Sequence, residues 1–89
     1  MGVVTLKVHT TPTRLLVANP KRINFMIINN STTNVFVGFD NTVETSGYKK
    51  GVQISANGGF WSYEYHKGEV WAIASEETEV TVVESSEGE

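Results

Sequence analysis

The 89-residue chain contains no cysteine, and its formal net charge is only −3. The absence of cysteine excludes a disulfide framework and a thiolate metal site as sources of stability. A slight acidic excess argues against electrostatic binding to nucleic acid or to an anionic membrane, so we expect neither as a partner. No apolar run approaches the ~20 residues that a membrane-spanning helix needs. The first residues lack the pattern of a secretory signal, which predicts synthesis directly into a cytoplasm.

The residues that are abundant favour a β domain. Hydrophobic residues make up 39% of the chain and charged residues 19%, which is typical of globular rather than disordered sequences. Valine, isoleucine, threonine and the aromatic residues dominate, and these side chains fit the pleated surface of a sheet. Apolar residues do not recur at helical spacing over a useful length. The composition and the periodicity therefore both predict an all-β fold.

Residues 22–43 form the segment around which the chain is organised. From 23 to 28, apolar side chains fall on both parities, which is typical of a central strand covered on both faces. Residues 29–34 are a polar run of turn formers that should reverse the chain. Residues 35–39 alternate again, so we predict that the two strands form a hairpin.

Similar patterns along the chain predict about eight short strands, at residues 3–9, 14–18, 23–28, 35–39, 52–55, 60–67, 69–74 and 79–84. Residues 40–51 are interpreted as a long, mobile connection that could cross between sheets, and Asn57-Gly58 as a tight hairpin turn. The strand list predicts a small antiparallel β-sandwich, jelly-roll-like, although an immunoglobulin-like or barrel closure would give the same list. We predict one domain over residues 1–84 and an acidic flexible tail at 85–89.

Several short motifs follow one another between residues 14 and 84. They are Asn19-Pro20-x-Arg22, a hydrophobic strand ending in Asn29-Asn30, Val35-x-Val37-Gly38-x-Asp40-Asn41-x-Val43, Gly68-x-Val70-Trp71-Ala72-Ile73-Ala74-Ser75 and Val80-x-Val82-x-Glu84. Their order resembles small virion-associated β proteins of tailed phages and prophages. The resemblance implies a non-enzymatic structural component of the virion, assembled in the host cytoplasm. Such a component would decorate or stabilise the head, or act as a fibre or adaptor module, by binding the capsid or neighbouring subunits.

Metal and catalytic chemistry find little support in the sequence. His9 and His66 are the only histidines, and with Glu64 or Asp40 they could in principle form a nitrogen and oxygen metal site. Two histidines on exposed strand faces, without a short-spaced ligand pair, are more often plain surface residues. Ser62 and His66 share one predicted strand, where their separation of roughly 13 Å is too long for a nucleophile and its base. We therefore expect no enzyme activity, no cofactor and no metal.

The candidate interaction surface is an aromatic row on one predicted strand, formed by Trp61, Tyr63 and Tyr65. Aromatic rings with a polar group are enriched at protein interfaces because they provide large contact areas at low entropy cost. The interior of a small sandwich can hold Trp71 with Ile73, but the whole row would crowd it. We expect part of the row to face a partner. The other interpretation is that the row fills the core.

Arg14 and Arg22, with Lys21, are predicted to form a small basic patch, either for an acidic partner or to keep a sheet edge soluble. A chain of this length buries little core, so we expect a homo-oligomer or docking on a larger body. Two functions stay open. One is the protein-binding particle component, and the other is a carbohydrate-binding or host-recognition module in which aromatic rings stack on sugar rings.

Overall fold

The computed structural model describes residues 2–64 and 66–87, and its regular elements are eight β-strands. The described residues contain no α-helix, which confirms the predicted all-β fold. The strands are β1 (Gly2–Val8), β2 (Thr13–Leu16), β3 (Arg22–Asn29), β4 (Val35–Gly38), β5 (Val52–Ile54), β6 (Gly59–Glu64), β7 (Val70–Ala74) and β8 (Thr78–Ser86).

The strands form two antiparallel sheets of four strands each. The first sheet has the order β1-β8-β3-β6, and the second has the order β2-β7-β4-β5. The chain passes from one sheet to the other at every connection except the one between β4 and β5. Two sheets connected in this way form the eight-stranded jelly roll, so the predicted small antiparallel sandwich is confirmed.

The strand pairs are nested. β4 pairs with β5, β3 with β6, β2 with β7 and β1 with β8, as in one long hairpin whose tip is the loop at residues 39–51. Winding this hairpin brings β8 beside β3 and β7 beside β4, which completes both sheets. Every ladder except that of β4 and β5 therefore joins segments far apart in the sequence.

The core lies between the two sheets and is built from alternate residues of the strands. Val80 and Val82 point inward from β8 and are each 1% exposed. Most inward side chains of the other strands are apolar, as expected for a sandwich interior. The apolar ones buried to 1% exposure or less are Val8, Phe25, Ile27, Val35, Val37, Ile54, Val70, Ala72 and Ala74.

Three connections join other strands or sheets than the sequence predicts. Residues 30–34 carry the chain from the first sheet to the second, so β3 and β4 do not form a hairpin. Residues 39–51 join two neighbours of the second sheet and do not cross. Asn57 and Gly58 adopt the expected positive φ angles of 63° and 104°, but their turn leads from the second sheet to the first. Turn chemistry determines where the chain reverses, whereas the partner of each strand depends on distant residues.

β3 and β7 are each covered on one face, although the sequence of β3 predicts a strand covered on both. Met26 and Ile28 lie on the outer face of the first sheet and are half-buried. Trp71 and Ile73, which were expected in the core, lie on the outer face of the second sheet. The register explains this, because Ala72 and Ala74 are the residues of β7 that lie opposite the buried Val37 and Val35 of β4. Opposite residues of an antiparallel pair share a face.

The last strand is longer than predicted. Ser85 and Ser86, which the sequence assigns to a flexible tail, belong to β8 and lie opposite Asn24 and Arg22 of β3. The amide of Glu87 also donates to the carbonyl of Lys21. Residues 88–89 of the predicted tail lie outside the described residues.

Candidate interaction surface

β6 places two residues of the predicted aromatic row at the open side of the sandwich. It is an edge strand, and on its inward face Trp61 lies opposite Ile27 while Tyr63 lies opposite Phe25. Trp61 is half-buried and packs against the core. Tyr63 remains 45% exposed. The row thus divides, because Trp61 belongs partly to the core and Tyr63 faces solvent. Tyr65, its third predicted member, lies outside the described residues.

Rings from both sheets assemble around these two residues into what we call the aromatic cluster, formed by Phe25, Phe39, Trp61, Tyr63 and His66. Trp61 and Tyr63 stack with their ring centroids 5.6 Å apart and an interplanar angle of 27°. Phe39, from the loop after β4, lies 5.5 Å from Tyr63 and 4.2 Å from His66. Phe25 contacts Trp61 edge-on at 5.5 Å. The cluster therefore joins the edge of the first sheet to a loop of the second.

Sequence reasoning missed Phe39 and His66 as members of this surface. Phe39 is 43% exposed, and its position just before the turn at Asp40 was a signal that the ring could leave the sheet interior. His66 was weighed only as a metal ligand or a base. Its ring instead lies among aromatic rings, and its Nε2 is 3.1 Å from the carbonyl oxygen of Glu69.

The histidines do not come together in the fold. His9 follows β1 and His66 follows β6, and these two strands run in opposite directions in the first sheet, so the two residues lie at opposite ends of the sandwich. Nδ1 of His9 is 3.0 Å from a carboxylate oxygen of Glu77. Ser62 is exposed on the outer face of β6, away from the inward aromatic rings. Among the described residues, no group of three or more histidine or acidic side chains could hold a metal ion.

The two arginines of the predicted basic patch have different environments. Arg14 is half exposed and forms an ion pair with Glu69, with 3.0 Å between Nη1 and the carboxylate oxygen. Arg22 is 0% exposed. It therefore cannot contact a partner. The prediction that Arg22 belongs to the interaction surface is wrong. Nothing in local sequence distinguishes the two residues, because the groups that surround Arg22 come from distant segments.

Each nitrogen of the Arg22 guanidinium donates at least one hydrogen bond. Its Nε donates to the carboxylate of Glu84 at 2.6 Å, and Nη1 donates to the carbonyls of His66 and Gly68 at 3.1 and 2.8 Å. Nη2 donates to the carbonyl of Val17. A buried charge is tolerated when it is paired and its remaining donors are satisfied. Here the arrangement ties three chain segments together in a protein without disulfides.

Arg22 also contacts two members of the aromatic cluster, Phe25 and His66. Its guanidinium carbon lies 5.9 Å from the ring centroid of Phe25, within the range of a cation–π contact. Its hydrogen bond to the carbonyl of His66 holds the backbone that carries the His66 ring. Arg22 is thus a positioning residue for this surface and not a contact residue.

A cavity of about 320 Å³ lies beside the cluster, between the end of β4 and the loop at residues 39–51. Val37, Phe39 and Val43 contribute apolar walls, and Lys49 and Lys50 also line it. The loop packs closely on the strand. A Cβ atom at Gly51 would lie 2.6 Å from the carbonyl oxygen of Val37, so this position requires glycine.

Two carboxylates near the surface have lowered pKa values. The hydroxyl and the amide of Thr42 donate to Asp40, and these hydrogen bonds lower the pKa of the Asp40 carboxyl. Hydrogen bonds from Arg14, and secondarily from Trp71, lower the pKa of Glu69. Both groups therefore carry negative charge at neutral pH.

Comparisons with protein-family models, with curated proteins and with solved structures found no match for this chain. Among the described residues, no helix is long and apolar enough to cross a membrane. The fold and the surface define a small jelly-roll domain with a half-exposed, ordered aromatic cluster.

Proposed function

We propose that this protein is a non-enzymatic structural component of a phage-like particle, and that it binds the capsid or neighbouring subunits through the aromatic cluster. The observation that carries the proposal is the exposure of Tyr63 and Phe39, 45% and 43%, within a cluster whose rings hold one another in place. The order of strand and turn motifs, which resembles virion-associated β proteins, supports the choice of partner.

The cluster has the physical properties of a protein contact. Aromatic side chains bury large areas when a partner covers them, and such residues dominate binding energy at many interfaces. Trp61 and Phe25 already fix the position of Tyr63 through ring contacts at 5.6 and 6.3 Å. Little further entropy is lost when a partner orders these rings, so more of the contact energy is available for binding.

The charged side chains beside the aromatic cluster could form the polar rim of a protein interface. Lys49, Lys50 and Asp40 line the cavity next to Phe39. A rim with both signs of charge around an apolar centre is the usual organisation of a specific protein interface. We therefore expect the partner to present an apolar residue to the rings and charged groups to the rim.

The second candidate is a carbohydrate-binding or host-recognition module. The stacked Trp61 and Tyr63 rings favour it, because a flat ring face can stack on a pyranose. Recognition of a sugar also requires free polar groups close to the rings. Oδ1 of Asp40, the carboxylate beside Phe39, already accepts two hydrogen bonds from Thr42. We prefer a protein partner because the order of the motifs resembles virion-associated β proteins.

The experiment compares Tyr63→Ser with Phe60→Ser. Phe60 is 67% exposed on the outer face of the same strand, so the second variant removes a similar ring outside the cluster. Each form is co-expressed with the products of the adjacent genes, and assembled particles are purified on a density gradient. We expect the wild type and Phe60→Ser to co-purify with the particle and Tyr63→Ser to be lost.

A glycan array run on the same three forms separates the two candidates. Sugar binding that Tyr63→Ser abolishes, without incorporation of the wild type into a particle, would favour the recognition module and overturn the structural role. Incorporation without any sugar signal supports the structural role.

A further inference from the structure

β1 forms an unprotected edge of the first sheet. It pairs on one side with β8, in a regular ladder that runs from Gly2 opposite Glu84 to Val8 opposite Thr78. No other strand of the described residues lies beside it. Its second row of main-chain donors and acceptors therefore points away from the sheet, and such a row is a template for a further strand.

Most of the devices that usually block strand addition are absent from β1. The strand has seven residues, contains no proline, shows no bulge in its register and carries one charged side chain, Lys7. Val3 and Val4, on opposite faces, are 66% and 47% exposed. Two other edges are shorter, because β2 has four residues with an irregular register and β5 has three.

We propose that two copies of this protein pair through β1, antiparallel and centred on Thr5, to form one continuous eight-stranded sheet. Opposite residues of an antiparallel pair point to the same face, so a two-fold axis at Thr5 keeps the inner faces of both copies on the same side. The proposal goes beyond the aromatic cluster and uses a different part of the surface.

A second copy fits this edge because β1 complements itself. In the centred register Val4 lies opposite Leu6 of the second copy, and Leu6 already packs against the core of its own sandwich. Lys7 lies opposite Val3 of the second copy, so the only charge of each strand does not meet its equivalent. Two-fold contacts of this kind are the commonest in homo-oligomers. Pairing along the whole strand would add about six to eight main-chain hydrogen bonds.

Cysteine cross-linking tests the register, because the chain has no cysteine of its own. In the centred register Thr5→Cys places the two sulfur-bearing side chains directly opposite each other, at a Cβ separation of about 5 Å. Val3→Cys, on the same face of the same strand, places them roughly 14 Å apart at ~3.4 Å per residue. If cross-links formed by random collision of monomers, Val3→Cys would cross-link readily, since Val3 is 66% exposed.

We expect Thr5→Cys to form a covalent dimer under mild oxidation at protein concentrations where Val3→Cys stays monomeric. Equal cross-linking of both variants, or faster cross-linking of Val3→Cys, would overturn the proposed register.

Charge substitution at Val3 tests the contact in the unmodified chain. Val3→Lys places an ammonium group opposite Lys7 of the second copy, whereas Val3→Glu places a carboxylate there. Like charges directly opposite each other are unfavourable and opposite charges are favourable. Sedimentation velocity from about 10 μM to about 1 mM should show a dimer whose dissociation constant rises at least about tenfold in Val3→Lys and does not rise in Val3→Glu.

At a concentration low enough for both variants to be monomeric, circular dichroism should give the same spectrum and melting temperature for both, since Val3 is exposed. A wild type that is monomeric over the whole concentration range, or equal weakening by both substitutions, would show that β1 is not a self-association edge.

Discussion

β3 and β6 are neighbours in the first sheet with the same alternation of side chains, yet they have different roles. Phe25 and Tyr63 lie directly opposite each other on the inward face, but Phe25 is 1% exposed and Tyr63 is 45% exposed. β3 lies between β8 and β6, whereas β6 has β3 as its single neighbour. The number of neighbouring strands, and not the sequence pattern, decides which aromatic ring belongs to the core.

This difference separates stability from recognition. The side chains of β3 are held from both sides and contribute mainly to the free energy of unfolding. Those of β6 are held from one side, so they keep a fixed position while part of each ring stays available. The following changes test that division.

The largest effect is expected from Arg22→Ala, at the start of β3. The substitution leaves Glu84 without its buried partner and removes donors from the carbonyls of Val17, His66 and Gly68. Breaking a buried pair in this way should lower the free energy of unfolding by about 3–5 kcal/mol in urea denaturation. The matched control is Arg14→Ala, whose ion pair with Glu69 is exposed and should contribute no more than about 1 kcal/mol. Equal losses in the two variants would contradict the assignment of Arg22 as a structural residue.

Ile27→Ala or Phe25→Ala should lower the free energy of unfolding by roughly 2–5 kcal/mol, because each opens a cavity at a site no more than 1% exposed. The same measurement on Met26→Ala provides the control, since Met26 lies on the outer face of the same strand and is half-buried. We expect its loss to be clearly smaller. A loss below about 1 kcal/mol at both inward positions would show that β3 is not the centre of the core.

Tyr63→Ser should lower the free energy of unfolding by no more than about 1 kcal/mol, because its ring is 45% exposed. Trp61→Ser should cost more, since Trp61 packs against the core. Thermal melts of the two variants test the order. If Tyr63→Ser destabilised the protein as much as Ile27→Ala, the edge position would not separate recognition from stability.

The smallest effect concerns the loop that carries Phe39. Thr42→Val removes the hydroxyl that donates to Asp40, so the pKa of the Asp40 carboxyl should rise toward its ordinary value. In the wild type the pKa of Asp40 is lower in the folded than in the unfolded state. The ionised carboxylate therefore stabilises the folded loop at pH values above the unfolded-state pKa. That stabilisation is lost as the pH falls through the lower folded pKa. An NMR titration of the carboxyl carbon measures the change, and an unchanged pKa would show that the Thr42 hydroxyl does not lower the pKa of Asp40.

The positions of the strands could be predicted from the sequence within a few residues, because alternation and turn formers are local signals. The sheet to which each strand belongs could not be predicted from the sequence. The polar turn at residues 30–34 and the Asn57-Gly58 turn reverse the chain as expected, but both lead to the opposite sheet. Local chemistry is the same for a hairpin and for a crossing between packed sheets. The choice depends on pairings such as that of β1 with β8, which no local pattern encodes.

The candidate surface could be predicted in part. Trp61 and Tyr63 were recognisable as a row that a small interior could not hold, whereas the contribution of Phe39 required knowledge of where the loop at residues 39–51 folds back. Arg22 was assigned to the surface because a charged residue is usually exposed. Its carboxylate partner, Glu84, follows 62 residues later, so the pair is visible only in the fold.

The nested strand pairs also determine when the protein can fold during its synthesis. β8 lies between β1 and β3, so these two strands have no direct ladder until the last strand has left the ribosome. A nascent chain can form the β4–β5 hairpin early, but the first sheet has to wait for residues 78–86. Folds dominated by such distant pairings form slowly, in milliseconds to seconds. Until then the exposed strands of the first sheet are free to pair with other chains, so the emerging polypeptide depends on rapid completion to avoid aggregation.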